Sequence, residues 1–400
     1  MVQLEPFQIE DWMDEWENKC EYNIAETCCS SISLNELQDL SENKTGLEID
    51  RNQKLTYGAI RGSSPLRSNL AKLYSSKVST PLPEDNILIT NGAIAANHLV
   101  FYSLIGPGDH VVCHYPTYQQ LYSVPASLGA EVDLWKAKAE AKWIPDIEDL
   151  KGLIKKNTKL LVLNNPNNPT GAVLPRSLLQ QVIDLAQEHN LIILSDEVYR
   201  PAFHSIGPMD PEFPRSILSM GYDNAIATGS MSKAYALAGI RVGWIASRSR
   251  ELVEKIAGTR HYTTISVSQL DEQVAAFALS YDTVHHLLSR NIQLAKTNLA
   301  ILERFVIKFD DECEWVKPVA GTTAFVRFHR EGKAVDSEKL CEAILEKAGV
   351  LFAPGRRCFG DEFPGYVRIG FVADTETLEK GLARLKVFMK KEFDEVPLAN

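Results

Sequence analysis

No stretch of the 400-residue chain approaches the ~20 consecutive apolar residues a helix needs to cross a bilayer, so a membrane span is not expected. Residues Met1 to Pro6 hold no basic segment followed by an apolar one and do not read as a secretory leader. Cysteine is sparse, and of the seven only Cys28 and Cys29 are close together. They form neither a metal-ligand spacing nor a disulfide framework, which makes a reducing, cytoplasmic location the simplest expectation. Basic charge is short as well: 42 Lys and Arg stand against 52 Asp and Glu, a net charge of -10, with no basic stripe or polybasic cluster. Nucleic acid and membrane surfaces are therefore not expected partners, and small metabolites are. Internal repeats and low-complexity linkers are missing too.

What is present is an ordinary apolar fraction, 45%, with 24% charged residues, over a length that can bury an extensive core and divide into two domains. Residues 6–18 put Ile9, Trp12, Met13 and Trp16 at helical spacing, a short amphipathic helix whose simplest use is docking on the body. Apolar runs at 86–90, 109–113, 158–163, 190–195, 224–228 and 242–246 then alternate with helical stretches. Continuous apolar strands between helices mean an α/β fold with a mostly parallel sheet covered on both faces. Residues 283–306 carry a helical stripe through Leu287, Ile292, Leu299 and Phe305, long enough to bridge two domains. Beyond 313 the pattern becomes α+β, with strands at 323–328 and 366–371, helices at 336–348 and 375–392, and a break at Pro354-Gly355. The expected division is an N-terminal arm with part of a small domain in 1–50, a large domain in 51–290 and a small C-terminal domain in 291–400.

Polar motifs follow these strands, where open parallel sheets build their sites. Asn91-Gly92-Ala93-Ile94 opens a helix whose free N–H groups suit an anion, although taken alone it is an ordinary strand-to-helix turn. Tyr118, in His114-Tyr115-Pro116-Thr117-Tyr118, can stack on a heteroaromatic ring or belong to the core. The Pro- and Asn-dense loop from Asn164 to Gly171 can hold an amide against a phenolate oxygen. Asp196, in Ser195-Asp196-Glu197-Val198-Tyr199, can keep a pyridine nitrogen protonated or cap a helix. Lys233, in Gly229-Ser230-Met231-Ser232-Lys233, sits among small polar residues with Arg241 eight positions on. That setting suits a Schiff base with an aldehyde cofactor whose phosphate needs charge partners, which points to pyridoxal 5'-phosphate (PLP). Arg368, between the apolar Val367 and Ile369, reads as a guanidinium for a carboxylate.

The ordered set Asn91-Gly92-Ala93, Pro116-x-Tyr118, Asn164 to Gly171, Ser195 to Tyr199, Ser230-x-Ser232-Lys233, Gly239-x-Arg241-Val242-Gly243 and Arg368 to Phe371 resembles the class I/II aminotransferases of PLP fold type I. The match runs from Tyr57 to Arg368. The resemblance implies that Lys233 binds PLP and shuttles a proton, and that Asp196 pairs with the pyridine nitrogen. It implies that Asn168 and Tyr199 bond the 3'-oxygen and that Tyr118 stacks on the ring. Gly92, Ala93 and Ile94, with Ser230, Ser232 and Arg241, would hold the phosphate. Tyr57 would reach the partner subunit's phosphate, giving a homodimer with shared sites. Arg368, with Asn168, would take the substrate's α-carboxylate, and the implied reaction is transamination between an amino acid and a 2-oxo acid. No second cation for a distal carboxylate is evident, which argues against strict aspartate or glutamate specificity.

Two stretches depart from the commonest pattern of that family. Pro354-Gly355-Arg356-Arg357-Cys358-Phe359 and Ile24-Ala25-Glu26-Thr27 resemble segments of aminocyclopropane-carboxylate synthases, which makes Glu26 a candidate substrate-side acid or base. Ile9-Glu10-Asp11-Trp12 and the Ser-rich stretch before Glu36-Leu37 resemble capreomycidine synthases, which cyclise a hydroxylated arginine. Elimination, replacement or cyclisation is thus the alternative reaction, while Glu26 and Arg356 read equally as solvated or structural residues. A non-catalytic PLP-binding effector domain is a third reading, but it would carry a winged-helix module and a basic linker, for which there is no room before Tyr57.

Overall fold

The computed structural model describes all residues except 1–3, 44, 45, 76, 77 and 79. Residues 1–3, part of the stretch read above for a leader, thus lie outside the described residues. The chain opens with the helix Gln8–Trp16 and a short strand, β1 (Tyr22–Asn23). The apolar runs become β2 (Ile87–Thr90), β3 (His110–Tyr115), β5 (Thr158–Asn164), β6 (Ile192–Asp196), β7 (Ala225–Ser230) and β8 (Gly243–Ser247). With β4 (Glu131–Lys136) they form a seven-stranded sheet in the order β2-β8-β7-β6-β5-β3-β4. Strands β4, β3, β5, β6 and β7 are mutually parallel. β8 runs antiparallel to both β7 and β2, so the sheet is mostly parallel, as expected, with β8 as its reversed strand. The reason is local: only a single 3-10 turn, Ala238–Ile240, lies between β7 and β8, too little for the helical crossover a parallel return requires.

Side chains alternate across each strand, so successive apolar residues serve opposite faces. Leu161 and Leu163 of β5 pack with Val182 and Ile183 of the helix Arg176–Glu188. Leu160 and Val162 pack with Phe101 of the helix Gly92–Leu104 and Ile256 of the helix Arg250–Arg260. Each such buried aliphatic side chain contributes roughly 1.5–3 kcal/mol, and the two layers clamp the sheet so that its carboxyl edge is rigid.

A helix from Tyr281 to Lys308 runs along this body, and the expected domain boundary at 290 falls inside it. Beyond it, β9 (Cys313–Trp315), β10 (Thr323–Arg330), β11 (Lys333–Ala334), β13 (Ala353–Pro354) and β14 (Tyr366–Gly370) make a second, antiparallel sheet. β12 (Val350–Leu351) pairs in parallel with β1, tying the N-terminal segment to this C-terminal layer. The fully buried Trp12 donates its indole N–H to the Phe352 carbonyl at 2.8 Å. Gly370 N–H donates to the Ile24 carbonyl at 2.8 Å, and a Cβ at Gly370 would fall 1.7 Å from the Glu26 carbonyl oxygen. Only glycine lets the two backbones approach so closely, and this contact carries residues 26–28 over the carboxyl edge of the large sheet.

Candidate active site

The carboxyl ends of β5, β6 and β7 and the first turn of the helix Gly92–Leu104 converge on a cleft of about 270 Å³. Residues 26–28 and the N-terminal helix complete its wall. A larger cavity of about 660 Å³, lined by Arg200, His285 and Lys296 among others, does not include Lys233 in its wall.

Lys233 follows β7 and projects into the cleft, where its Nζ donates to Thr27 Oγ1 at 2.6 Å and to Cys28 Sγ at 3.4 Å. Glu26 Oε1 lies 3.7 Å away. Burial pulls the Lys233 amine down, but the neighbouring Cys28, Tyr199 and Glu26 outweigh it and raise its pKa. Of these the Glu26 carboxylate is the firmest cause, because it is the one that is charged near neutral pH. Glu26 accepts the backbone N–H of Thr27 at 2.6 Å and of Cys28 at 2.9 Å. Burial pushes its carboxyl up, yet the Lys233 charge and these N–H donors override it and hold it at about 2. A carboxylate so stabilised is a weak base, and its visible work is to shape the 26–28 turn.

Asp196 ends β6, where Oδ1 accepts the Val198 N–H at 3.0 Å and Oδ2 accepts Asn97 Nδ2 at 2.9 Å. No helix follows, so it makes a turn of its own rather than the cap that its position also allowed. Burial pushes it up to about 6, and the two donors pull the other way. Asn97 is itself oriented by Thr228, whose hydroxyl donates to Asn97 Oδ1 at 2.7 Å. Tyr199 is buried in the same wall, and burial raises its phenol.

Arg368, on β14, is 4% exposed. One Nη donates to the Asn168 side chain at 3.3 Å and the other to the Ala25 carbonyl at 3.0 Å, while Nε is buried with no protein partner. Gly92, Ala93 and Ile94 form the first helical turn, so their N–H groups have no intrahelical acceptor. Arg241 reaches the same corner and donates to Ser232 Oγ at 3.4 Å, beside Ser230. The corner is built around glycines. Gly92 has φ +77°, a Cβ on it would meet Arg241 Nη2 at 2.8 Å, and a Cβ on Gly243 would sit 2.3 Å from the Gly92 carbonyl carbon. A helix N-terminus, a guanidinium and two hydroxyls fit a phosphate dianion, a buried carboxylate fits a pyridinium, and an amine faces both: the residues present fit PLP.

The remaining residues singled out from the sequence divide. Tyr118 lines the cleft, donates its hydroxyl to Glu10 Oε1 at 2.6 Å and packs its ring 4.9 Å from that of Phe7. Tyr57 is 76% exposed and outside the cleft wall of its own chain. Arg356 is exposed, pairs with Asp361 at 3.4 Å and does not reach the cleft. Glu10, Thr27, Cys28 and Asn97 line the cleft and were not found as site residues by sequence reasoning. For Asn97 there is a signal, a polar side chain that competes with the backbone placed inside a helix.

The family model for aminotransferase class I and II matches residues 31–385. The chain is 30% identical over 378 residues to capreomycidine synthase from Streptomyces vinaceus, covering 94% of this chain and 92% of that protein. It is 28% identical over 341 residues to an aspartate aminotransferase from Thermotoga maritima, covering 84% of each. Among solved structures, a PLP-dependent aminotransferase from Streptococcus suis 89-1591 superposes with a TM-score of 0.87 at 41% identity, covering 97% of this chain and 98% of that one.

Proposed function

Since the chain belongs to the aminotransferase class I and II family and is a PLP-dependent enzyme, we propose that it moves the α-amino group of an amino acid to a 2-oxo acid, with Lys233 holding the cofactor. The observation that carries the reading is the convergence of Lys233, Asp196, Arg368 and the Gly92–Leu104 helix start on one cleft. Bound PLP supplies an electron sink that makes the substrate's Cα–H acidic. Arg368 grips the α-carboxylate through its free Nε and fixes the orientation of Cα. Lys233, which would hold the cofactor, would also carry the proton from the substrate's Cα to the cofactor's C4' carbon. Asp196 holds the proton on the pyridine nitrogen, and Asn97 and the Val198 N–H keep its carboxylate aimed. Asn168 and Tyr199 would bond the 3'-oxygen, Tyr118 would cover the ring, and Ser230, Ser232 and Arg241 with the N–H groups of Gly92 to Ile94 would hold the phosphate.

The proposal includes a homodimer in which Tyr57 completes the partner subunit's site, and a cytoplasmic location resting on the cysteine spacing. Cyclisation or elimination is the second reading, supported by the likeness to capreomycidine synthase. Against it, Glu26, the acid or base it needs, is committed to Lys233 and two backbone N–H groups. The test is direct. Borohydride should fix the cofactor to Lys233 alone, an amino acid should convert the cofactor to its amino form, and a 2-oxo acid should restore the aldehyde. A pyridoxyl label on another lysine, or stoichiometric release of a cyclic product with the cofactor unchanged, would sink the proposal.

A further inference from the structure

The cleft has three cations, and the reading above assigns each of them: Lys233 to the cofactor, Arg241 to its phosphate and Arg368 to the α-carboxylate. Among the described residues no other lysine, arginine or histidine lines the wall. The part of the wall left for a substrate side chain is acidic. Glu10 and Met13 of the helix Gln8–Trp16, and Glu17 that follows it, recur at helical spacing and face the cleft together with the buried Ile9, while Trp12 is buried outside the cleft wall. Burial of Trp12 and its bond to Phe352 fix this helix in place, so the carboxylates are held over the cleft rather than free on an arm.

Glu26 is neutralised by Lys233, whereas neither Glu10 nor Glu17 has an ion-pair partner among the described residues. Glu10 accepts only the Tyr118 hydroxyl, which orients it without cancelling its charge. The second mark of a ligand is Arg368 Nε, a buried donor with no protein acceptor. A buried polar group left so points to a carboxylate supplied from outside. We propose that the substrate is an α-amino acid with a cationic side chain, a guanidinium or an ammonium, whose α-carboxylate sits on Arg368 and whose distal cation is held by Glu10 with Glu17 adding to the field. An acidic side chain is repelled by the same pair. This rests on the aminotransferase reading and adds the substrate class to it.

The experiment is the half-reaction of the PLP-loaded enzyme, followed by cofactor absorbance, with L-arginine, L-ornithine, L-norleucine and L-glutamate. Arginine or ornithine should exceed norleucine and glutamate in kcat/KM by at least about tenfold, the scale of one charge-assisted hydrogen bond. The ratio of the basic substrate to norleucine should fall roughly ten- to a hundredfold in Glu10→Gln, and further in Glu10→Gln/Glu17→Gln. Glu10→Asp should keep part of it. Because Tyr118 is anchored on Glu10, Tyr118→Phe is the control: if it lowers the ratio as much as Glu10→Gln does, the effect runs through the ring and the inference is overturned. It is also overturned if norleucine or glutamate reacts as well as the basic substrates, or if the ratio is the same in the double variant. Should no amino acid convert the cofactor, the aminotransferase reading itself falls and this one with it.

Discussion

A buried carboxylate that is meant to meet a pyridinium is in an awkward position until the pyridinium arrives. Asp196 illustrates this, because burial lifts its pKa to about 6 although Asn97 and the Val198 N–H favour the ionised form. A folded-state pKa above the unfolded value of about 3.9 means that the folded chain binds the proton more tightly. The stabilisation from that proton is full below pH ~4 and is lost as the pH rises through about 6. In the cofactor-free protein, Asp196→Asn should therefore melt higher than the parent at pH 8, by an amount worth at most on the order of 3 kcal/mol, and lose that advantage at pH 4. The loaded variant should at the same time lose amino transfer by orders of magnitude. Melting curves at the two pH values decide it, since an equal gain at both would mean that Asp196 does not titrate in this range. Asp196 and Arg368 were legible in the sequence because each ends or interrupts an apolar run with a charge, and Lys233 because it sits among small polar residues with Arg241 eight positions on. Glu10, Thr27 and Cys28 were not, because chain-distant contacts bring them in: Glu10 through Tyr118, and Thr27 and Cys28 through the Gly370 backbone.

At the scale of elements, the phosphate corner depends on two strands and a helix meeting without side chains between them. Gly243 opens β8, and a methyl group there would lie 2.3 Å from the Gly92 carbonyl carbon and 2.6 Å from Ala93 N. Relief requires the helix start to move outward, taking the N–H groups of Gly92 to Ile94 with it. Overpacking of this kind costs about 1–3 kcal/mol. Gly243→Ala should thus weaken PLP binding about five- to a hundredfold, measured by cofactor titration of the cofactor-free protein, while Gly239→Ala, with nothing within 4 Å of its Cβ, should not. Equal affinities in the two variants would show that the corner does not hold the cofactor. The strands of this corner could be read from β-branched runs. The antiparallel direction of β8 could not, because direction depends on what a connection can span, and β4 was missed because Glu131, Asp133 and Lys136 leave only Trp135 fully buried on an edge strand. The N-terminal helix was legible as a helix, but its amphipathic pattern does not say that its polar side faces a cleft.

On the scale of the whole molecule, the surface around Tyr57 brings several exposed apolar side chains onto two segments. Leu55, Tyr57, Ile60, Tyr262 and Ile265 are exposed, and the two segments that carry them are tied together by Gln269 Nε2 on the Thr56 carbonyl at 2.6 Å and by Arg260 on the Ile60 carbonyl. Arg260 is buried there with Nε and Nη2 lacking partners. Large apolar side chains exposed on two linked segments are what an interface would cover, and the proposed homodimer would give them an occupant. In that proposed dimer Tyr57 would belong to its neighbour's site, consistent with its place outside the cleft wall of its own chain. Mixed dimers test this. A Lys233→Ala subunit has no amine but supplies an intact Tyr57, and a Tyr57→Ala subunit has the amine but supplies no phenol. If Tyr57 acts across the interface, each mixed dimer should regain one site with the parent's kcat/KM, whereas each variant alone stays impaired. If Tyr57 serves its own chain, the Lys233-bearing site of the mixed dimer still lacks the phenol, and mixing restores nothing.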